Sequence, residues 1–89
     1  MSQTDPRYET IQPMVQEGRI QTFLDIFKYV PRTVVARDLG KKVTRLSVSL
    51  RHLENFTIGE LFLIANLCKL SRTEILELIT MEVSLRDRT

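Results

Sequence analysis

The residues of this chain best suited to chemistry lie between Arg32 and Asn55, and the chemistry they suit is recognition rather than bond making. Arg45 carries a guanidinium fork that can pair with O6 and N7 of a guanine, a contact worth about 1–3 kcal/mol of discrimination against a wrong base. Thr44 offers a hydroxyl for a base edge or a phosphate, and Val48 offers a surface that can meet a thymine methyl. Lys41, Lys42 and Arg51 need only lie near a polyanion to release its counterions, which gives affinity without sequence information. Each also has a plainer reading, since solvated arginines, polar residues at helix starts and exposed valines are common on protein surfaces. Asn55 divides in the same way, between an amide that holds a phosphate and a turn former, and its place in a joint favours the turn.

The pattern that carries these residues is helical. From Val43 the apolar positions run Val43, Leu46, Leu50 and Leu53, a three-four-three spacing that makes one narrow stripe. Thr44, Arg45, Val48 and His52 then occupy the opposite face, with Lys41 and Lys42 at the helix start. The stripe assigns Val43 to the core and Val48 to the surface. Just upstream, Ala36, Gly40 and Leu46 have the spacing of two short helices that cross around a sharp turn. Ala36 is small at the crossing, Gly40 can take the positive φ that ends a helix, and Leu46 returns an aliphatic residue to the same core. This is the pattern of a helix-turn-helix.

Charge supports the same stretch. The chain has a net charge of only +2, yet Lys28 to Glu54 holds seven basic residues (Lys28, Arg32, Arg37, Lys41, Lys42, Arg45, Arg51) against Asp38 and Glu54. The remaining positions carry six basic and nine acidic residues. A field so divided suits one face to phosphate and the rest to water, although a basic solvated helix would look the same.

Other chemistries find no support. His52 has no second histidine, and no cysteine or carboxylate at ligand spacing, so a metal role is not expected. Cys68 is the only cysteine. It can form no intrachain disulfide, and without an adjacent base it reads as a small core residue. There is no Gly-rich phosphate loop, no pair of catalytic acids and no nucleophile-base pattern. No enzyme, cofactor or small-molecule ligand is expected. No apolar run approaches the roughly 18 to 20 residues of a transmembrane helix, and Met1 to Pro6 lacks the regions of a signal peptide. With the lone cysteine, this leads to an expected cytoplasmic location.

The elements that must position the basic face can be read in outline. Eighty-nine residues make one small domain, able to bury somewhat over ~60% of the surface its unfolded chain exposes. Pro and Gly number three each and no repeat is visible, so the chain reads as consecutive helices with short joints, an all-α bundle of about five. Residues 1–18 are expected as a partly helical N-terminal extension in which Pro13 interrupts what Asp5-Pro6 begins, ending at Gly18. Residues 19–85 form the single helix-turn-helix domain, and 86–89 a frayed tail. Ile20, Phe23, Leu24, Ile26, Phe27 and Val30 predict an amphipathic helix over 19–29, stopped before Pro31. Thr57-Ile58-Gly59-Glu60 and Ser71-Arg72-Thr73-Glu74 are both capping boxes and mark two later helix starts. The first of these helices is apolar nearly all round, as a centrally buried helix would be. The second carries Ile75, Leu78, Ile79, Met81, Val83 and Leu85, more apolar surface than one packing stripe needs.

Residues 32 to 79 resemble the phage-repressor and Cro family of helix-turn-helix domains, particularly its small bacterial members. The resemblance rests on Ala36/Gly40/Leu46, on the Thr-led helix Thr57 to Leu67, and on the final helix with its Ser71-x-x-Glu74-Ile75-Leu76 opening. It implies a lambda-repressor-like fold in which Arg32 to Leu39 lies across the DNA backbone and Val43 to Leu53 enters the major groove. It places the base-reading positions on Lys42, Val43, Thr44, Arg45 and Val48, and makes Arg32, Lys41 and Arg51 suited to phosphates. Two positions depart from the family pattern. Lys41 follows the turn glycine where an aliphatic residue is usual, and Ser49 stands three after Leu46 where a second aliphatic is usual.

Two function classes therefore stay open. One is a transcriptional regulator that binds double-stranded DNA, as a homodimer because a single recognition helix covers few base pairs. The other is a helical protein-interaction or antitoxin-like module on the same scaffold without DNA readout, since fold does not settle function.

Overall fold

The computed structural model describes residues 4–87. Five α-helices follow one another: α1 (Ile11–Gln16), α2 (Arg32–Leu39), α3 (Val43–Arg51), α4 (Ile58–Cys68) and α5 (Arg72–Arg86). Three short 3-10 segments accompany them: Pro6–Thr10 leads into α1, Phe23–Lys28 lies between α1 and α2, and Leu53–Asn55 lies between α3 and α4. No strand occurs among the described residues, and the architecture is the all-α bundle the sequence predicts.

The helix starts follow from their caps. Thr57 Oγ1 accepts the Glu60 N–H at 3.0 Å while Glu60 accepts the Thr57 N–H at 3.0 Å. Ser71 and Glu74 repeat the exchange at 3.0 and 2.9 Å. Each box satisfies two amides that a helix start would otherwise leave without partners.

Three helix ends share another device, in which a residue of positive φ lets two amides turn back onto the last carbonyls. After α1, Gly18 (φ 78°) donates to the Val15 carbonyl and Arg19 to that of Met14. After α2, Gly40 (φ 70°) donates to Arg37 and Lys41 to Ala36, at 3.1 and 3.0 Å. After α4 the left-handed position is held by Lys69 (φ 58°), with Leu70 donating to Ala65 at 2.8 Å.

The amphipathic α-helix expected over 19–29 does not form. Arg19 and Ile20 are drawn back by the Met14 carbonyl. The Asp25 carboxylate collects the N–H groups of Gln21 and Thr22, so the helical segment starts only at Phe23 and is 3-10 throughout. The buried residues Ile20, Phe23 and Ile26 are three apart. That spacing suits a helix of three residues per turn, whose i and i+3 side chains line up.

One core serves the described residues. Leu46 and Leu50 of α3, Val35 and Ala36 of α2, Ile64 and Cys68 of α4 and Ile75 of α5 meet Phe23, Ile26 and Val30. The N-terminal segment joins them through Tyr8 and Ile11, and the Tyr8 hydroxyl donates to Asp38 of α2 at 2.8 Å. Burial, with that hydrogen bond to the carboxylate, pushes the Tyr8 pKa up. Edge-on packing of Phe23 against Phe27 and Phe56, each with centroids 5.6 Å apart, closes the end nearest the α3–α4 joint.

Three further expectations change. Val43 is exposed rather than core, because the inward direction of α3 is set by Leu46, Ser49 and Leu50 and its first turn overhangs the bundle. The helix expected to reach Leu53 stops at Arg51, and Leu53 moves into the 3-10 turn that leads to α4. α4 is not buried all round: Ile58 and Leu63 face outward. Of the tail expected to fray, Arg86 is the last residue of α5 and is anchored, while 88–89 lie outside the described residues.

Candidate nucleic-acid interface

The turn between α2 and α3 fixes where the basic residues go. Gly40 and Lys41 close α2, Lys42 is the extended residue before α3, and Val43 begins the helix. Leu46 and Leu50 are fully buried, so the opposite side of α3 must face out, and it carries Thr44, Val48 and Arg51. Arg45 is exposed beside that face. Together Thr44, Arg45, Val48 and Asn55 line a shallow concavity with Ser49 and Lys41 at its floor. A second depression lies around Gly40, Lys42 and Arg45.

The seven cations of the Lys28 to Glu54 stretch are not equivalent. Three have carboxylate partners: Lys28 with Asp25 at 3.0 Å, Arg37 with Asp38 at 3.4 Å, and Lys41 with Glu60 at 2.8 Å. Arg32 has no carboxylate but reaches the Ser47 hydroxyl at 3.4 Å, linking the start of α2 to α3. Among the described residues, the side chains of Lys42, Arg45 and Arg51 have no ion-pair or hydrogen-bond partner, and all three are exposed. The positive field of this face thus comes from Arg32, Lys42, Arg45 and Arg51, with Thr44 and Val48 between them.

Compared with known proteins, the chain matches no family model, no characterised protein and no solved structure.

Lys41 has a different setting from the other cations. Its side chain is only 16% exposed. The ammonium contacts Glu60 of α4, donates to the Ser49 hydroxyl of α3 at 3.5 Å, and stands 5.4 Å from the centroid of the Phe56 ring. The Lys41 hydrogen bond first, and the Thr57 N–H second, hold the Glu60 carboxyl below its ordinary value. Lys41 was expected among the phosphate contacts, and here its charge is paired with Glu60 at the floor of the concavity. The two departures from the repressor pattern, Lys41 and Ser49, are partners of each other. Neither position alone announces this, since the two lie on opposite sides of a helix start.

Asn55 takes the place of a turn former. Its N–H donates to the His52 carbonyl at 2.9 Å in the 3-10 turn after α3, and its side chain edges the concavity beside Arg45.

Sequence reasoning missed the polar chain that fastens the far end of α3. Arg86 donates to the carbonyls of Leu50 at 2.6 Å and Arg51 at 3.1 Å, the last of the helix. Glu82, buried at 6% exposure, contacts Arg86 at 3.4 Å and accepts the Leu24 N–H at 2.9 Å. The i, i+4 spacing of Glu82 and Arg86 was the one signal available.

Among the described residues no group of three or more His, Cys, Asp or Glu could hold a metal ion. No helix of the described residues is long and apolar enough to cross a membrane. Burial in the core pushes the Cys68 thiol up to about 12, which removes it as a nucleophile at neutral pH.

Proposed function

We propose that this chain binds double-stranded DNA in a sequence-dependent way, with the outward face of α3 in the major groove, and acts as a cytoplasmic transcriptional regulator of the bacterial or phage type. The observation that carries the reading is the arrangement of free cations: Lys42, Arg45 and Arg51 surround Thr44 and Val48 on one exposed helix face. A helix with its side chains is about 10–12 Å across, which fits a groove about 12 Å wide, and nine residues give it ~13 Å of length to lie there. Arg45 is the residue for a guanine edge. Lys42, Arg51 and Arg32 are placed for phosphates, and Thr44 and Val48 for the base edges between them.

So short a reading helix covers few base pairs, so the reading includes a homodimer on two half-sites about one turn, or ~34 Å, apart. Leu76, Met81, Val83 and Leu85 of α5 are exposed and supply its apolar surface. The same residues favour the second reading, a helical protein-interaction or antitoxin-like module, in which that surface meets a different protein.

Fluorescence anisotropy against a pool of random duplexes over a salt series, with sequencing of the bound fraction, tests the proposal. Steep salt dependence and an enriched two-fold motif support it. Arg45→Ala and Lys42→Ala then weaken binding while the thermal melt is unchanged. Absence of binding at low salt removes the DNA reading in favour of the interaction module, and a monomer at micromolar concentration in sedimentation removes the dimer.

A further inference from the structure

We propose that Lys41 is a positioning residue that sets the roll of the reading helix through Ser49, rather than one of the cations that touch DNA. The inference rests on the DNA-binding reading above and names the part of that surface which controls specificity.

Three features carry it. The Lys41 backbone is fixed before its side chain is considered, because its N–H closes α2 on the Ala36 carbonyl. Its ammonium is then held by groups from three different places: Ser49 on α3, Glu60 in the first turn of α4, and the Phe56 ring in the joint between them. The Glu60 carboxylate is itself fixed, with one oxygen on the Thr57 amide of the α4 cap and the other on Lys41. Lys41 therefore ties the turn to α4 through a 2.8 Å ion pair and reaches α3 through a longer, 3.5 Å hydrogen bond to Ser49.

Ser49 is what makes the link matter for readout. It is buried at 5% exposure and faces the same way as Leu46 and Leu50. Leu46 and Leu50 set the inward direction of α3, but a small hydroxyl fills less space than an aliphatic side chain, so on the Ser49 side packing constrains the roll less tightly. The hydrogen bond to Lys41 supplies the missing constraint. Arg45 lies about one helical turn before Ser49, and Val48 lies one residue before it, so a change of roll at Ser49 moves both. Recognition groups must stay within about 0.5 Å and 10–20° of their working geometry. A loosened roll therefore harms base discrimination before it harms general affinity. A phosphate contact would behave in the opposite way, losing affinity for all sequences and part of the salt dependence.

The test compares the full chain with Lys42→Met, Lys41→Met and Lys41→Met/Ser49→Val on the duplex enriched by selection and on a scrambled one, across a salt series. Lys42→Met should lower the slope of log K against log salt by about 0.9, the loss of one phosphate contact. Lys41→Met should leave that slope unchanged and reduce the ratio of specific to scrambled affinity about tenfold, within the range of one lost base contact. Lys41→Met/Ser49→Val, which restores an aliphatic pair, should recover most of the ratio at the same slope. A slope lost in Lys41→Met as in Lys42→Met overturns the proposal and makes Lys41 a phosphate contact.

If the unmodified chain binds no duplex, the DNA reading has failed and the link is judged separately by thermal melts of Lys41→Met, Glu60→Gln and the double variant. Melting shifts that fall short of additive by roughly 4 °C support the link, and additive shifts overturn it.

Discussion

Arg86→Met should unfasten the far end of α3 at a cost that the structure allows to be sized. The guanidinium donates to the Leu50 and Arg51 carbonyls at 2.6 and 3.1 Å and contacts the buried Glu82 carboxylate at 3.4 Å. Hydrogen bonds from a charged donor are worth about 1.5–3 kcal/mol each when removal leaves a buried partner unmet. The Arg86 side chain is 32% exposed, so water can reach part of what it leaves, and about half the upper figure, ~1.5 kcal/mol, is appropriate for the two carbonyls together. Glu82 cannot be rescued in the same way, because its side chain is only 8% exposed and would retain the Leu24 amide as its hydrogen bond. Stripping a fully buried carboxylate of its cation costs about 3–5 kcal/mol, and with Arg86 partly exposed, the contact at 3.4 Å and the Leu24 amide retained, about 1 kcal/mol is added here. The total is about 2–3 kcal/mol, or roughly 10–20 °C in Tm for a domain of this size.

Thermal melts followed by circular dichroism read the loss directly. Glu82→Gln combined with Arg86→Met should recover about half of it, because the glutamine oxygen still accepts the Leu24 amide and no charge is left buried. Arg86→Lys should fall between, since an ammonium lacks the planar fork that reaches two carbonyls at once. A shift below about 3 °C for Arg86→Met would refute the reasoning, for it would mean that the carbonyls at the end of α3 are as well served by water.

Three other expectations follow from single sites. Lys69→Gly should raise Tm by roughly 2–4 °C, because a side chain at φ 58° costs about 1 kcal/mol that glycine avoids and only partly returns as unfolded-state freedom; Lys69→Ala, which keeps the strain, should show no gain. Glu60 has its carboxyl held below the ordinary value of 4.5 by Lys41 and the Thr57 amide. Its contribution to stability is therefore present above that value and lost as the pH falls through the lowered one, so urea midpoints of the unmodified chain should drop more steeply below pH 4.5 than those of Glu60→Gln, and equal slopes would contradict the link. Cys68, with its thiol pushed up to about 12, should resist a disulfide-exchange reagent at pH 8 in the folded chain and react at once in guanidinium; rapid labelling without denaturant would show that the α4 core opens.

What could be read from the sequence divides along a physical line. Caps were legible because their partners are three residues apart: Thr57 with Glu60, and Ser71 with Glu74. Gly40 and Gly18 were legible because a positive φ leaves few other residue choices. The 19–29 segment misled because its apolar spacing fits two periods. Ile20, Phe23 and Ile26 are three apart, and only the hydrogen bonds accepted by the Asp25 carboxylate and the Met14 carbonyl, which compete with an α-helix from Arg19 onward, decide for the 3-10 form. Val43 misled because periodicity gives the direction of a stripe but not how far the core extends along it. Tyr8 with Asp38, Leu24 with Glu82, and Arg86 with Leu50 join residues 30 to 58 apart. Such pairs have no local signature.

The basic face shows the same division with more at stake for function. Counted along the chain, Lys41 is one of seven positive charges and Ser49 a weak spot in a hydrophobic stripe. Each is unfavourable if taken alone, since an aliphatic residue would pack better at either place. Joined, they remove each other's cost: the lysine gives the buried hydroxyl a partner, and Glu60 with the Phe56 ring gives the ammonium a setting from which it has little reason to leave. The consequence for the surface is subtraction. Once Lys28, Arg37 and Lys41 are matched with Asp25, Asp38 and Glu60, four cations remain, and those on the outward side of α3 bracket Thr44 and Val48. A smaller field aimed from fewer points offers less general affinity for polyanions, so under the DNA-binding proposal the discrimination assigned to Arg45, and to whatever fixes its direction, would have to be the larger share of specific binding.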